Sequence, residues 1–252
     1  MKCIYAEWEL RNLGVKTIEL SIEKKDSALQ TEDLLKEIEN YQLEYDAKYV
    51  VIKADVDYPS VSLNLQKAGF LLMENQVGLR FNRKDSLEVL EKYREICKGT
   101  SYRPASDEDT QMVFSEIEKE IFVTDRISLD PYFGKKIANR RYLFWMKDEL
   151  SRGARLYIST HNGKSLGFIL FKQNTDKKVI IDLLGGLFKR NDSRYLGADM
   201  MSIYANRLCF CDSGVTTYKT AVSSNNLKIL QLHLMAGAKI TTLKNVLIKH
   251  FD

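Results

Sequence analysis

The chain has 252 residues, 44% of them hydrophobic, 29% charged and only three of them proline. That is the composition of an ordinary globular protein able to bury a sizeable core. Its net charge of +4 is too slight for a nucleic-acid surface but suits a ligand carrying several phosphates. No stretch approaches the roughly 20 apolar residues of a membrane span, and Glu7 and Glu9 interrupt any signal-peptide core.

Residues 31–56 predict a helix followed by a buried strand at Tyr49–Ala54, rich in Val and Ile. A turn and a short helix ending at Gly69 come next, and residues 71–81 alternate as one or two strands. Residues 83–100 predict a charged amphipathic helix that connects two domains, 1–100 and 101–252. The second domain opens with a strand and a helix capped by Ser106, with Asp109 three residues on. A second helix spans 130–153, and a hairpin turns at Asn162-Gly163. A buried strand at 177–188, a helix in 192–208, a strand at 215–222, a helix at 225–238 and closing strands at 239–251 complete the order.

Four cysteines are present, and Cys209 and Cys211 have C-x-C spacing without a second ligand pair. Packing thiols in a reduced, cytoplasmic protein are expected, with no metal, membrane or nucleic acid as partner. Strand-helix-strand units at 48–81 and 215–251 share an order and an Ala-Gly helix ending, at Ala68-Gly69 and Ala236-Gly237. They suggest two related units, of which only the second has a glycine turn before a helix.

That turn is Arg194-Tyr195-Leu196-Gly197-Ala198-Asp199. Glycine in a helix interior costs about 1 kcal/mol. At a helix mouth it lets an anion approach unpaired N–H groups at the positive end of the dipole. Mere turn chemistry is the plainer alternative.

The order of elements and the R-x-x-G-A turn resemble the GNAT superfamily of acyl-CoA N-acyltransferases. The match fails only at Asp199, where Gly or Ala is usual. The resemblance implies an α+β fold with an incomplete N-terminal GNAT-like unit and a complete C-terminal one, with acetyl-CoA as cosubstrate. Arg194, Tyr195, Leu196, Gly197, Ala198 and Asp199 would hold its pyrophosphate, and Leu183, Leu184, Gly185 and Gly186 its pantetheine arm. Asn226 fills the Asn of a second family motif, and His233 stands where that motif has Tyr. The family pattern therefore implies His233 as the acid for the leaving thiolate, although a histidine that only packs fits equally. Asp182, mid-strand among apolar residues, is a candidate base, or an ordinary solvent-facing carboxylate.

Arg126 and Tyr142, with Arg140 and Arg141, are expected around an acceptor. A narrower likeness, carried by Asp125-Arg126, Tyr142 and Trp145, is to the subgroup that acetylates dTDP-4-amino-4,6-dideoxygalactose. The expected activity is N-acetyl transfer to a small-molecule amine, by a monomer or homodimer. A peptide amine as acceptor, or a non-catalytic acyl-CoA-binding module, stands as the alternative.

Overall fold

The computed structural model describes residues 1–174, 176, 178–189 and 197–252. The N-terminal half runs β1 (Lys2–Tyr5), α1 (Glu7–Leu13), β2 (Thr17–Ser21), α2 (Thr31–Glu44), β3 (Tyr49–Asp55), α3 (Pro59–Lys67), β4 (Leu71–Asn82) and α4 (Arg83–Lys92). The C-terminal half runs β5 (Thr100–Pro104), α5 (Asp107–Glu118), α6 (Gly134–Ser151), β6 (Arg155–His161), β7 (Lys164–Asn174) and β8 (Val179–Leu187). It closes with α7 (Ala198–Asp212), β9 (Thr217–Ser223), α8 (Leu227–Met235) and β10 (Lys239–His250).

All ten strands join one mixed sheet, in the order β1-β2-β3-β10-β4-β9-β8-β7-β6-β5. The α+β class expected from the sequence is the class found. The boundary expected at residue 100 has no counterpart in the sheet, because the halves exchange their last strands. β10 lies between β3 and β4, antiparallel to both, and β4 lies against β9. Each half thus keeps a parallel pair, β2 with β3 and β8 with β9, and borrows the strand beside it.

Local chemistry explains most elements. Tyr49 to Ile52 are buried without interruption, as a parallel strand covered on both faces requires. Ser106 Oγ accepts the Asp109 amide while Asp109 Oδ2 accepts the Ser106 amide at 2.9 Å, closing a capping box on α5. Asn162 and Gly163 both have positive φ, +48° and +75°, as a tight hairpin turn demands.

Three expectations need correction. α4 stops at Lys92 rather than near residue 100, because Tyr93 leaves helical geometry and the chain turns Cys97 into the core before Gly99. α6 begins at Gly134, after a turn built on Asp130 and Pro131. The closing strands expected at 239–251 are one twelve-residue strand, 239–250, and 71–82 is likewise one strand, within the one or two expected there. They form the middle of the sheet and must cross its full height.

Apolar packing covers both faces. α2 and α3 bury Leu34, Ile38 and Leu65 against Ile18, Leu20 and Ile52. α5 and α6 bury Val113, Ile117 and Met146 against Phe168 and Leu170. α7 covers the other face of the C-terminal strands with Tyr204 and Phe210 against Ile180 and Tyr218. No helix among the described residues is long and apolar enough to cross a membrane.

Candidate functional site

β8 and β9 run parallel but pair only at Val179–Thr217, Ile180–Tyr218 and Ile181–Lys219. Beyond Ile181 the strands part. The cause lies on the other edge of β8, where Leu170 pairs with Leu184 and Phe171 with Asp182. Leu183 is thus an extra residue, a bulge that bends β8 and sharpens its twist. Leu184, Gly185 and Gly186 keep their pairing to β7 while the edge facing β9 stays open. Gly167 permits this approach, since a Cβ there would stand 2.2 Å from the Gly186 carbonyl.

The parted strands open into a cleft of about 1540 Å³. Its walls come from β8, β9, α7 and α8 on one side and from β2, β4, α6 and the connector 119–133 on the other. Single small-molecule pockets span roughly 300–1,000 Å³, so two substrates have room.

Gly197 caps α7 in the left-handed region, φ +84° and ψ +11°, where L side chains are strained. Its carbonyl accepts the Met201 amide at 3.0 Å, and a Cβ there would meet nothing within 4 Å. Ala198 is buried behind it. Asp199, in the first turn, forms an ion pair with Lys228 of α8, bridging the two helices that flank the parted strands. Asn226 caps α8 by accepting the Ile229 amide at 3.4 Å. Arg194, Tyr195 and Leu196 lie outside the described residues.

Asp182 does not stand free in the cleft. Asn206 Nδ2 of α7 lies 3.4 Å from its Oδ2, and the Tyr218 hydroxyl also bonds its carboxylate. Its Oδ1 is sealed and unpartnered, and burial pushes its pKa up to about 6. His233 is likewise buried, with Arg207 Nη2 at 3.2 Å from its Nδ1. Burial, with Arg207 beside it, pulls its pKa down to about 3. The imidazole is therefore neutral, its Nδ1 accepts from Arg207, and any proton it offers is on Nε2. A neutral imidazole N–H donates a hydrogen bond but surrenders its proton poorly, which argues against the full acid role expected from its motif position.

Arg207, in the middle of α7, is wholly buried. Its guanidinium lies 3.4 Å from the centre of the Phe81 ring and donates to Asn206 Oδ1 at 2.9 Å. Asp182, Asn206, Arg207, Tyr218 and His233 thus form one polar network beneath the cleft. A cation inside the apolar run "IYANRLCFC" was the sequence signal for it.

The arginines expected around an acceptor mostly serve the join between the halves. Arg140 Nη2 donates to the Asn12 carbonyl at 2.9 Å, and Arg141 Nε donates to Glu9 at 2.6 Å. Arg126 Nη2 donates to Glu19 at 2.8 Å, while its Nε is buried without a partner. Burial works against ionised Glu19, but Arg126 and Lys53 outweigh it and bring its pKa down to about 2. Tyr142 lines the cleft with its ring 4.5 Å from that of Phe122. Among the described residues no cluster of His, Cys, Asp and Glu is arranged to hold a metal ion.

No family model matches the chain, and no curated protein matches it in sequence. Solved structures do share its fold. A GCN5-related N-acetyltransferase from Sphaerobacter thermophilus is 11% identical over 93% of this chain and 73% of its own, with a TM-score of 0.61. Another from Kribbella flavida is 13% identical over 94% and 82%, at 0.55. A tandem GNAT protein from the clavulanic acid biosynthesis pathway is 12% identical over 87% and 69%, at 0.50. The fold is that of the GCN5-related N-acetyltransferases, in a two-unit form.

Proposed function

We propose that this protein is an acetyl-CoA-dependent N-acetyltransferase acting on the primary amine of a small molecule, a nucleotide-linked amino sugar being the narrower reading. The observation that carries it is the parting of β8 from β9 after three paired positions. An extended amide-bearing chain fits that gap, since it can bond the strand edge that β9 leaves open. Leu184, Gly185 and Gly186 would hold the pantetheine arm, and the amides following Gly197 the pyrophosphate. Asn226 and the Asp199–Lys228 pair border the same opening.

Acetyl-CoA supplies an activated acetyl group as a thioester. The chain's own task is to orient it, bind the amine and accept the amine's proton. A thiol's ordinary pKa of about 8.5 makes a dedicated acid dispensable, so neutral His233 need only donate a hydrogen bond. Arg126 and Tyr142 lie on the acceptor side, where Arg126 Nε is a donor without a partner. Calorimetry with CoA, followed by mass-detected acetyl transfer to a panel of amino sugars and peptides, tests the reading. One CoA per chain and transfer to a small amine are expected; no CoA binding overturns it.

A further inference from the structure

The cleft holds a carboxylate with one oxygen that no described residue satisfies. Glu74 stands on β4, opposite Val246 of β10, and its Oε2 is sealed from solvent without a hydrogen-bond partner. Its neighbours are otherwise engaged. Arg126 and Lys53 both bond Glu19, Arg126 Nη2 at 2.8 Å and Lys53 Nζ at 2.9 Å. Asp125 accepts the Ile127 amide at 2.9 Å and the Ser128 hydroxyl at 2.6 Å. Ser223, at the end of β9, bonds the Glu74 carboxylate.

A buried carboxylate lacking partners is unfavourable unless something else completes it. β4 sits beside β9 only because of the strand exchange, and so carries Glu74 from the N-terminal half into the cleft. Glu74 and Arg126 both line that space, and each has one polar atom without a partner, Oε2 and Nε. The first accepts and the second donates.

Resting on the acetyl-transfer reading, we infer that Glu74 binds the acceptor's ammonium and takes its proton, and that the acceptor is a primary amine flanked by a hydroxyl or carbonyl oxygen for Arg126 Nε. One proton passes from the ammonium to the Glu74 carboxylate and on to water. The freed nitrogen lone pair forms the C–N bond to the acetyl carbon as the C–S bond breaks. The second nitrogen proton leaves through the same carboxylate, and the departing thiolate gains one from cleft water. The groups that face Glu74 are Arg126 and Asp125 from the connector, Lys53 from β3 and Ser223 from β9. Burial raises its pKa, opposed by Ser223 and Arg126, the direction that makes a carboxylate a better proton acceptor.

The test compares wild type with Glu74→Gln, using CoA and glucosamine as binding probes and acetyl-CoA as the acyl donor for turnover. Calorimetry should give equal CoA affinity for both proteins, with glucosamine binding to the CoA complex weakened at least tenfold in the variant. Thiol release with glucosamine should fall by about 10²–10⁴-fold, and the acidic limb of the pH–rate profile should vanish. The melting temperature of Glu74→Gln should equal or exceed that of wild type, because an uncompensated buried charge is removed. A lower melting temperature with an unchanged pH profile would make Glu74 structural and overturn the inference. So would equal rates in the two proteins, or a wild type that binds CoA but neither binds nor acetylates glucosamine. Failure of wild type to bind CoA would instead defeat the acetyl-transfer reading itself.

Discussion

The two halves build the same parallel pair and do opposite things with it. β2 and β3 pair at five positions from Thr17–Tyr49 to Ser21–Lys53, and the Ile22 amide then reaches the Lys53 carbonyl, so the seam stays shut to its end. β8 and β9 pair at three positions and separate. Their crossovers differ in the same sense. The turn before α2 buries Asp26, whose carboxylate accepts the Glu23 amide at 2.7 Å and would repel an anion. The turn before α7 ends in Gly197, with a positive φ and open space around it. The cleft here is a sheet with pairing withheld. One bulged residue and one glycine separate the half that has it from the half that does not.

The largest effect should come from cutting the comparison in two. Residues 1–99 alone would leave β3 without β10, and residues 100–252 would leave β9 without β4. Neither piece should melt cooperatively by circular dichroism, whereas co-expression should restore one cooperative transition. A half that melts alone near the intact chain's temperature would contradict the exchange.

Next in size is a pH effect at His233. Counting from the shared Ala-Gly ending, its counterpart in α3 is Leu65, a wholly buried residue. Unfolded histidine titrates near pH 6.5, while His233 in the fold titrates at about 3. The unfolded chain takes up the proton first, so stability falls as pH drops from about 6.5 towards 3, by on the order of 4 kcal/mol. His233→Leu should flatten that slope in denaturant titrations; an unchanged slope would place its origin elsewhere.

Gly197→Val makes the open half resemble the closed one. Its side chain meets no obstacle, so the fold should survive at a cost of about 1–2 kcal/mol for the left-handed backbone. CoA affinity should drop by about 100-fold, near 2.7 kcal/mol. Unchanged calorimetric affinity would remove the phosphate role from this turn.

The smallest effect concerns Asp182, with the opposite sign to His233. Its folded pKa of about 6 lies above the carboxylate's ordinary value. The folded state therefore holds the proton more tightly, and Asp182 adds stability as pH falls from about 6 to 4, by about 2 kcal/mol. Asp182→Asn should lose that gain, and a variant whose acid profile matches wild type would show the carboxylate to be uncoupled from folding.

Much of the C-terminal half was legible because its signals are local. The Ser106 cap and the Asn162-Gly163 turn each depend on a few neighbouring residues. The strand exchange was not legible, since Leu247 meets Ile52 and Leu72 across nearly the whole chain and nothing near Leu247 records it. β1 and β2 escaped notice for a related reason. They are four and five residues long, too short to show a period, and Thr17–Ser21 gains its burial from α2. Within the site, Gly197 and Asn226 announce themselves by motif spacing. Glu74 does not, because a glutamate on an alternating strand reads as solvent-facing until β9 is laid beside it. The charged residues Arg140 and Arg141 suggested ligand contacts, yet their partners, Asn12 and Glu9, lie in a short helix at the far end of the chain.

The exchange of last strands also governs how the molecule can be made. β10 inserts between two strands about 170–200 residues earlier in the sequence, so the centre of the sheet is the last part to become available. Until residues 239–250 emerge, β3 and β4 each expose a hydrogen-bonding edge, flanked by apolar side chains such as Leu71 and Leu72. Open edges of that kind invite pairing with other chains. Contacts this distant in sequence also slow closure through loop entropy. Synthesis should therefore pass through a long-lived, sticky intermediate that residues 239–250 resolve, and soluble yield should respond to changes in β10 more sharply than to equal changes in β5 at the sheet's rim.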